Sequence, residues 1–196
     1  MVMIVGIFFG SFNPIHYGHL MVLRYWLNET PLESIWLMVS PQNPHKSPEE
    51  LAPAEDRLQM VRLAIAGEAR LHASNIEFSL PRPSYTIQTL RYLQEHYPTH
   101  EWRILIGADA FATVPTWKEG NTLLDEYKFW IYPRHDCIPT YLPEKSTFFA
   151  QAPRIDFSAT QIRSYLRKGQ SIRFLVPPAV EDYIYERGLY GASKAS

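Results

Sequence analysis

Four apolar runs of strand length, residues 2–9 (VMIVGIFF), 34–39 (SIWLMV), 102–106 (WRILI) and 127–132 (YKFWIY), recur along a chain whose intervening segments carry helical periodicity. These runs are apolar at consecutive rather than alternate positions. Such strands must be covered on both faces, which is the situation in parallel sheets joined by helices. Helices are expected over 17–29, with Leu20, Leu23 and Leu27 on one stripe, over 54–66 with Leu58, Val61 and Ile65, and over 85–97 with Ile87, Leu90 and Leu93. In DFSATQIRSYLRKGQS, Ser158 is placed to cap a helix, Gln161 to complete a capping box and Gly169 to end it. A last helix should open near Pro178 and stop at Gly188. The expected fold is α/β: a Rossmann-like parallel sheet with helices on both faces and right-handed crossovers, in a single domain over residues 1–196. Ligands of such sheets bind beyond the carboxyl ends of the strands. The stretch GSFNPIHYGH, residues 10–19, lies at one of those ends.

Charge narrows the classes of partner. Lys plus Arg number 19 and Asp plus Glu 20, a net charge of −1, so no broad basic field exists to hold a nucleic acid or an anionic membrane surface. Small ligands are the expected partners. The lone cysteine, Cys137, rules out an internal disulfide framework and lacks the spacing of a structural zinc site, which suits a reducing cytosol and a cytoplasmic location. The apolar start, MVMIVGIFFGSF, has no basic leader region, is too short to span a bilayer and contains glycines, so it reads as a buried first strand. No internal repeat or low-complexity linker interrupts the chain. QNPHKSPEELAP, residues 42–53, is a long polar loop of the kind that is often functional.

The opening stretch has the makings of an anion site. Gly10 allows close backbone approach, the N–H groups that follow are unpaired at a helix start, and the positive end of the helix dipole favours negative charge. His16 and His19, three apart at the helix entry, can face the same anion. A plain strand-to-helix turn is the alternative. Neither G-x-x-x-x-G-K-[ST] nor G-x-G-x-x-G is present, so neither a P-loop nor a dinucleotide-hydride fold is indicated. Two histidines without a nearby Cys or acidic third ligand make an incomplete zinc set.

GSFNPIHYGH resembles the H-x-G-H signature of the nucleotidyltransferase superfamily, and DFSATQIR resembles its second signature, of the form I-S-S-T-x-x-R. SPQNPHK (40–46), SYTIQTL (84–90), LIGADAFATVPTWK (105–118) and the tail FLVPPAVEDYIYERGLY are similar, in order and spacing, to the bacterial nicotinate-nucleotide adenylyltransferases. The likeness runs from about residue 4 to residue 190. It implies transfer of AMP from ATP to nicotinate mononucleotide, by direct in-line attack without a covalent intermediate, in NAD biosynthesis.

The resemblance assigns catalytic roles to His16, His19 and Arg163. It places ATP against Phe8, Gly10, Ser11, Phe12, His45, Lys46, Gly107, Asp109, Ser158 and Thr160, and the mononucleotide against Tyr85, Thr86, Trp117, Lys118 and Arg134. Asp109, just past a strand end, suits ribose hydroxyls or a helix cap. Trp117 offers an indole face to a flat cationic ring, or else is core. Mg²⁺ is expected on the ATP phosphates, with no metal site built from protein side chains. ATP and nicotinate mononucleotide are the expected partners, without nucleic acid or membrane, and a homo-oligomer is left open. Phe9, Asn13 and Gln88 depart from the family pattern, at positions that usually carry Gly, Asp and Asp. Other readings remain: a relative acting on nicotinamide mononucleotide or phosphopantetheine, and a nucleotide sensor that retains the fold without catalysis.

Overall fold

The computed structural model describes residues 2–42, 51–134 and 137–192. Its strands are β1 (Met3–Gly10), β2 (Ser34–Val39), β3 (Leu71–Ser74), β4 (His100–Gly107), β5 (Phe129–Tyr132) and β6 (Thr147–Phe148). Between and after them run the helices α1 (Tyr17–Glu29), α2 (Ala54–Ala64), α3 (Thr86–His96), α4 (Ala108–Phe111), α5 (Gly120–Glu126), α6 (Ala159–Arg167) and α7 (Pro178–Arg187). All strand pairings are parallel, in the order β3-β2-β1-β4-β5-β6. Strand order therefore reverses beside β1, between β1 and β4, and a crevice opens at that switch point above their carboxyl ends.

The consecutive apolar runs are explained by two separate cores. Along β2, Ile35, Leu37 and Val39 point to one face, and Trp36 and Met38 to the other. On β4, Leu105 joins the first core while Ile104 and Ile106 join the second. The first core takes Leu23 and Trp26 of α1, Leu58 of α2, Ile162 of α6 and Ile184 of α7. Ile87 and Leu90 of α3 and Leu123 of α5 fill the second.

The expected elements form with small shifts at their ends. α2 stops at Ala64, and α3 loses one residue at each end because Tyr85 and Tyr97 have left helical geometry. Ser158 caps α6 as expected: the Gln161 N–H donates to Ser158 Oγ at 3.4 Å, and the Ser158 N–H donates to Gln161 Oε1 at 2.7 Å. Pro178 opens α7, and Gly188 ends it at φ +60°. Four elements had no sequence expectation. β3 (LHAS) and β6 (TF) are short strands, and α4 and α5 are too short to show a periodicity. Such edge strands form because β2 and β5 offer unpaired backbone to join, which is a tertiary cause.

Candidate active site

At the switch point lies a cavity of about 570 Å³. Every candidate residue named above that falls among the described residues lines it. His45 and Lys46 lie outside the described residues. α1, α3 and α6 all begin at this cavity, with His16, Tyr85 and Ser158 as their N-cap residues. The positive ends of three helix dipoles thus meet at one place, which favours an anionic occupant.

The two histidines are packed into a defined arrangement. Their rings stack with centroids 3.7 Å apart and an interplanar angle of 30°. The His16 backbone N–H donates to His19 Nδ1 at 3.2 Å, so Nδ1 of His19 is an acceptor and a neutral ring must carry its proton on Nε2. Phe8 and Phe12 hold the His19 ring edge-on from the strand side, with centroids at 6.0 and 5.3 Å. His16 is 2% exposed, and its Nδ1 has no hydrogen-bond partner among the described residues. Burial, aided by the nearby Arg134 guanidinium, lowers its pKa to about 3. At His16 burial favours the neutral ring, which can still donate a hydrogen bond.

Two glycines make room for this packing. A Cβ on Gly18 would come within 2.5 Å of Ile155 Cγ2 and 2.9 Å of His16 Nδ1. One on Gly10 would strike the Phe12 ring at 2.7 Å, so the space left by Gly10 is filled by the chain's own aromatic ring and not by a ligand. Phe12 itself sits at φ +46°, a strained conformation for a bulky residue that folds its ring back into the turn.

Arg163 joins the two signature stretches. The residue is 9% exposed, and its guanidinium donates to the Asn13 carbonyl at 3.0 Å and to Thr160 Oγ1 at 3.4 Å. The side chain of Asn13 is anchored as well: its Oδ1 accepts from the Ala52 N–H at 3.0 Å and from the Tyr190 hydroxyl at 2.9 Å. Beneath the turn, buried Arg57 donates to the carbonyls of Ser11, Ser40, Pro41 and Ala52. No sequence motif singled out Arg57, which reads as a polar residue on an amphipathic helix. The Ser11 carbonyl is consequently occupied, whereas its buried hydroxyl has no partner among the described residues.

Across the cavity, Asp109 Oδ2 faces Arg134 Nε at 3.3 Å while its Oδ1 accepts from the Ala110 N–H at 2.8 Å. Asp109 therefore lies in the first turn of α4, bonded to the next N–H, and stays on the cavity rim; Gly107, not Asp109, is the cap residue. Trp117 is half-buried, tied by its Nε1–H to Thr113 Oγ1 at 3.0 Å, and lines the cavity instead of joining the deep core. Lys118 Nζ stands 4.5 Å from the centre of the Tyr85 ring. Glu77 also lines the cavity, and sequence reasoning missed it because an isolated Glu in NIEFSL carries no motif.

Residues 7–165 match the family model described as Cytidylyltransferase-like. A protein of Cytophaga hutchinsonii named "Probable nicotinate-nucleotide adenylyltransferase" is 43% identical over 187 residues, spanning 95% of this chain and 97% of its own length. A Bacteroides fragilis protein of the same name is 42% identical, over 93% of this chain and 91% of its own. Among solved structures, the Plasmodium falciparum nicotinic acid mononucleotide adenylyltransferase complexed with NaAD matches with a TM-score of 0.82, over 98% of this chain and 100% of that one. At 23% identity that likeness is one of fold.

Proposed function

Because the chain belongs to the cytidylyltransferase-like family and, within it, to the nicotinate-nucleotide adenylyltransferases, we propose that it transfers the adenylyl group of ATP to nicotinate mononucleotide. The products are nicotinate adenine dinucleotide and pyrophosphate. One observation carries the reading: α1 and α6 begin at the same cavity, and the hydrogen bond from Arg163 of α6 to the Asn13 carbonyl, 150 residues away, ties α6 to the turn that leads into α1.

The mononucleotide's 5′-phosphate has a second pKa of about 6 and is largely dianionic at neutral pH, so it needs no protein base. Its oxygen attacks the α-phosphorus of ATP, a P–O bond forms, and the bond to the departing pyrophosphate breaks. The protein's work is to align two mutually repelling anions and to stabilise the charge that builds on the leaving side. Neutral His16 donates a hydrogen bond without adding charge, and His19 donates from Nε2. Ser158, Thr160, Arg163 and the free N–H groups of α6 receive the β- and γ-phosphates. Phe8, Gly10, Ser11 and Phe12 shape the turn against the triphosphate, and Gly107 and Asp109 take the adenosine ribose. Tyr85, Thr86, Trp117 and Lys118 surround the pyridine ring, with the start of α3 aimed at its carboxylate, and Arg134 answers the mononucleotide phosphate.

Among the described residues, the polar groups facing the cavity are mainly N–H donors, hydroxyls and cations, and the carboxylates Asp109 and Glu77 are already held by protein partners. That donor set fits a triphosphate, which would itself carry Mg²⁺ on its oxygens and through water. When bound, the ion neutralises phosphate charge.

Incubation with ATP, Mg²⁺ and either nicotinate or nicotinamide mononucleotide, followed by pyrophosphate release, tests the reading. Faster turnover of the nicotinate form is expected. Replacing His19 with Ala should lower the rate by about 10²–10³ while far-UV circular dichroism stays unchanged. Folded protein that turns over neither mononucleotide favours a nucleotide sensor, and one that prefers the amide overturns the choice of substrate.

A further inference from the structure

Glu77 is 3% exposed, beside a cavity whose chemistry is otherwise suited to anions. A buried carboxylate at such a place is unfavourable unless its oxygens are satisfied. They are: Oε2 accepts from the Ser84 hydroxyl at 2.8 Å and Oε1 from the Thr89 hydroxyl at 2.8 Å. Ser40, at the end of β2, brings a third hydroxyl 3.5 Å from that of Ser84. Burial raises the Glu77 pKa, and the hydrogen bonds from Ser84, Thr89 and Ser40 oppose that rise.

The two main donors lie on either side of one point. Ser84 immediately precedes Tyr85, the N-cap of α3, and Thr89 lies in the first turn of that helix. A single carboxylate therefore holds the chain both before and after the helix start. It does so from the segment that follows β3, a different part of the sheet. Without it, the first turn of α3 would be fastened mainly by the apolar contacts of Ile87 and Leu90, which fix the helix against the core but not the direction of its leading N–H groups.

We infer that Glu77 is a positioning residue for substrate specificity: through Ser84 and Thr89 it holds the start of α3 at the angle that favours a pyridine carboxylate over a pyridine carboxamide. This rests on the functional reading above. Preorganised N–H groups at a helix start discriminate between an anion and a neutral amide only if they are held still, since a mobile turn readapts to either. Phosphate binding at α1 and α6 does not depend on this bracket.

The test is steady-state kinetics of Glu77→Ala and Glu77→Gln with both mononucleotides. For Glu77→Ala, KM for nicotinate mononucleotide should rise about tenfold, the size of one lost hydrogen-bond set. KM for ATP and the saturated kcat should stay within about twofold, a split that general loosening of the fold would not produce. Preference for the acid over the amide should fall with it. Glu77→Gln, which keeps one acceptor oxygen, should lie between Ala and the wild type. Should Glu77→Ala fail to fold, Thr89→Val removes one donor at nearly constant shape and should shift the same KM in the same direction. Active wild type with variants that leave acid preference and KM unchanged, or that raise both KM values equally, overturns the inference alone. Wild type that neither binds nor turns over the mononucleotides overturns the functional reading, and this inference with it.

Discussion

At the scale of single residues, burial decides the protonation of His16. His16 titrates at about 3 in the folded protein, against about 6.5 in an unfolded chain. The unfolded chain therefore binds a proton below pH 6.5 that the folded protein refuses. The contribution of His16 is complete above pH 6.5 and is lost as pH falls from there toward 3. Stability of the wild type relative to His16→Gln, measured by urea unfolding at several pH values, should fall by about 1.4 kcal/mol per pH unit below 6.5. Parallel curves for the two proteins would contradict a buried neutral ring. The presence of two histidines at this spacing was legible in the sequence. The neutrality of the His16 ring was not, because it depends on desolvation by neighbours such as Phe157, packed 4.9 Å from that ring, and on the charge of Arg134, both distant along the chain.

Among the elements, α1 shows how closely a helix start can be fitted to the site it serves. Gly18 lies between the histidines, against Ile155, which comes from the segment leading into α6. Gly18→Ala places a methyl group 2.5 Å from Ile155 Cγ2, an overlap that should cost about 1–3 kcal/mol and displace His16. Removing the obstructing methyl with Ile155→Ala in the same chain should recover part of that loss, and thermal melts of the two single variants and the double variant check the coupling. Strictly additive effects would mean that the two residues do not meet. The caps of α6 and α7 were readable beforehand because a capping box and a terminal glycine act within a few residues. β3 and β6 were not, since LHAS and TF become strands only by pairing with β2 and β5.

Over the whole molecule, Arg57 fastens the turn after β1, the end of β2 and the entry to α2 through its four carbonyl acceptors, at 2.6–2.9 Å. Its burial stabilises the fold only while all of these partners are present. Arg57→Met keeps much of the side-chain volume but orphans the carbonyls, and should destabilise the protein by about 3 kcal/mol or more in denaturant unfolding. ATP affinity should fall with it, because the turn at Ser11 loses its support. A melt and an ATP titration indistinguishable from the wild type would show that water replaces the guanidinium.

By itself the sequence determined the α/β class, the main strands and helices, and the two signature stretches, because apolar periodicity and capping chemistry are local properties of neighbouring residues. It also supplied the site residues, and the described ones among them all line one cavity. Only the tertiary structure decided that His16 stays neutral, that Gly10 shelters Phe12 rather than a ligand, that Asp109 meets Arg134, that Glu77 lines the site and that Arg57 braces the turn beneath it. Each of these follows from desolvation or from a hydrogen bond between segments far apart in the chain. Neither quantity exists until the sheet has brought those segments together.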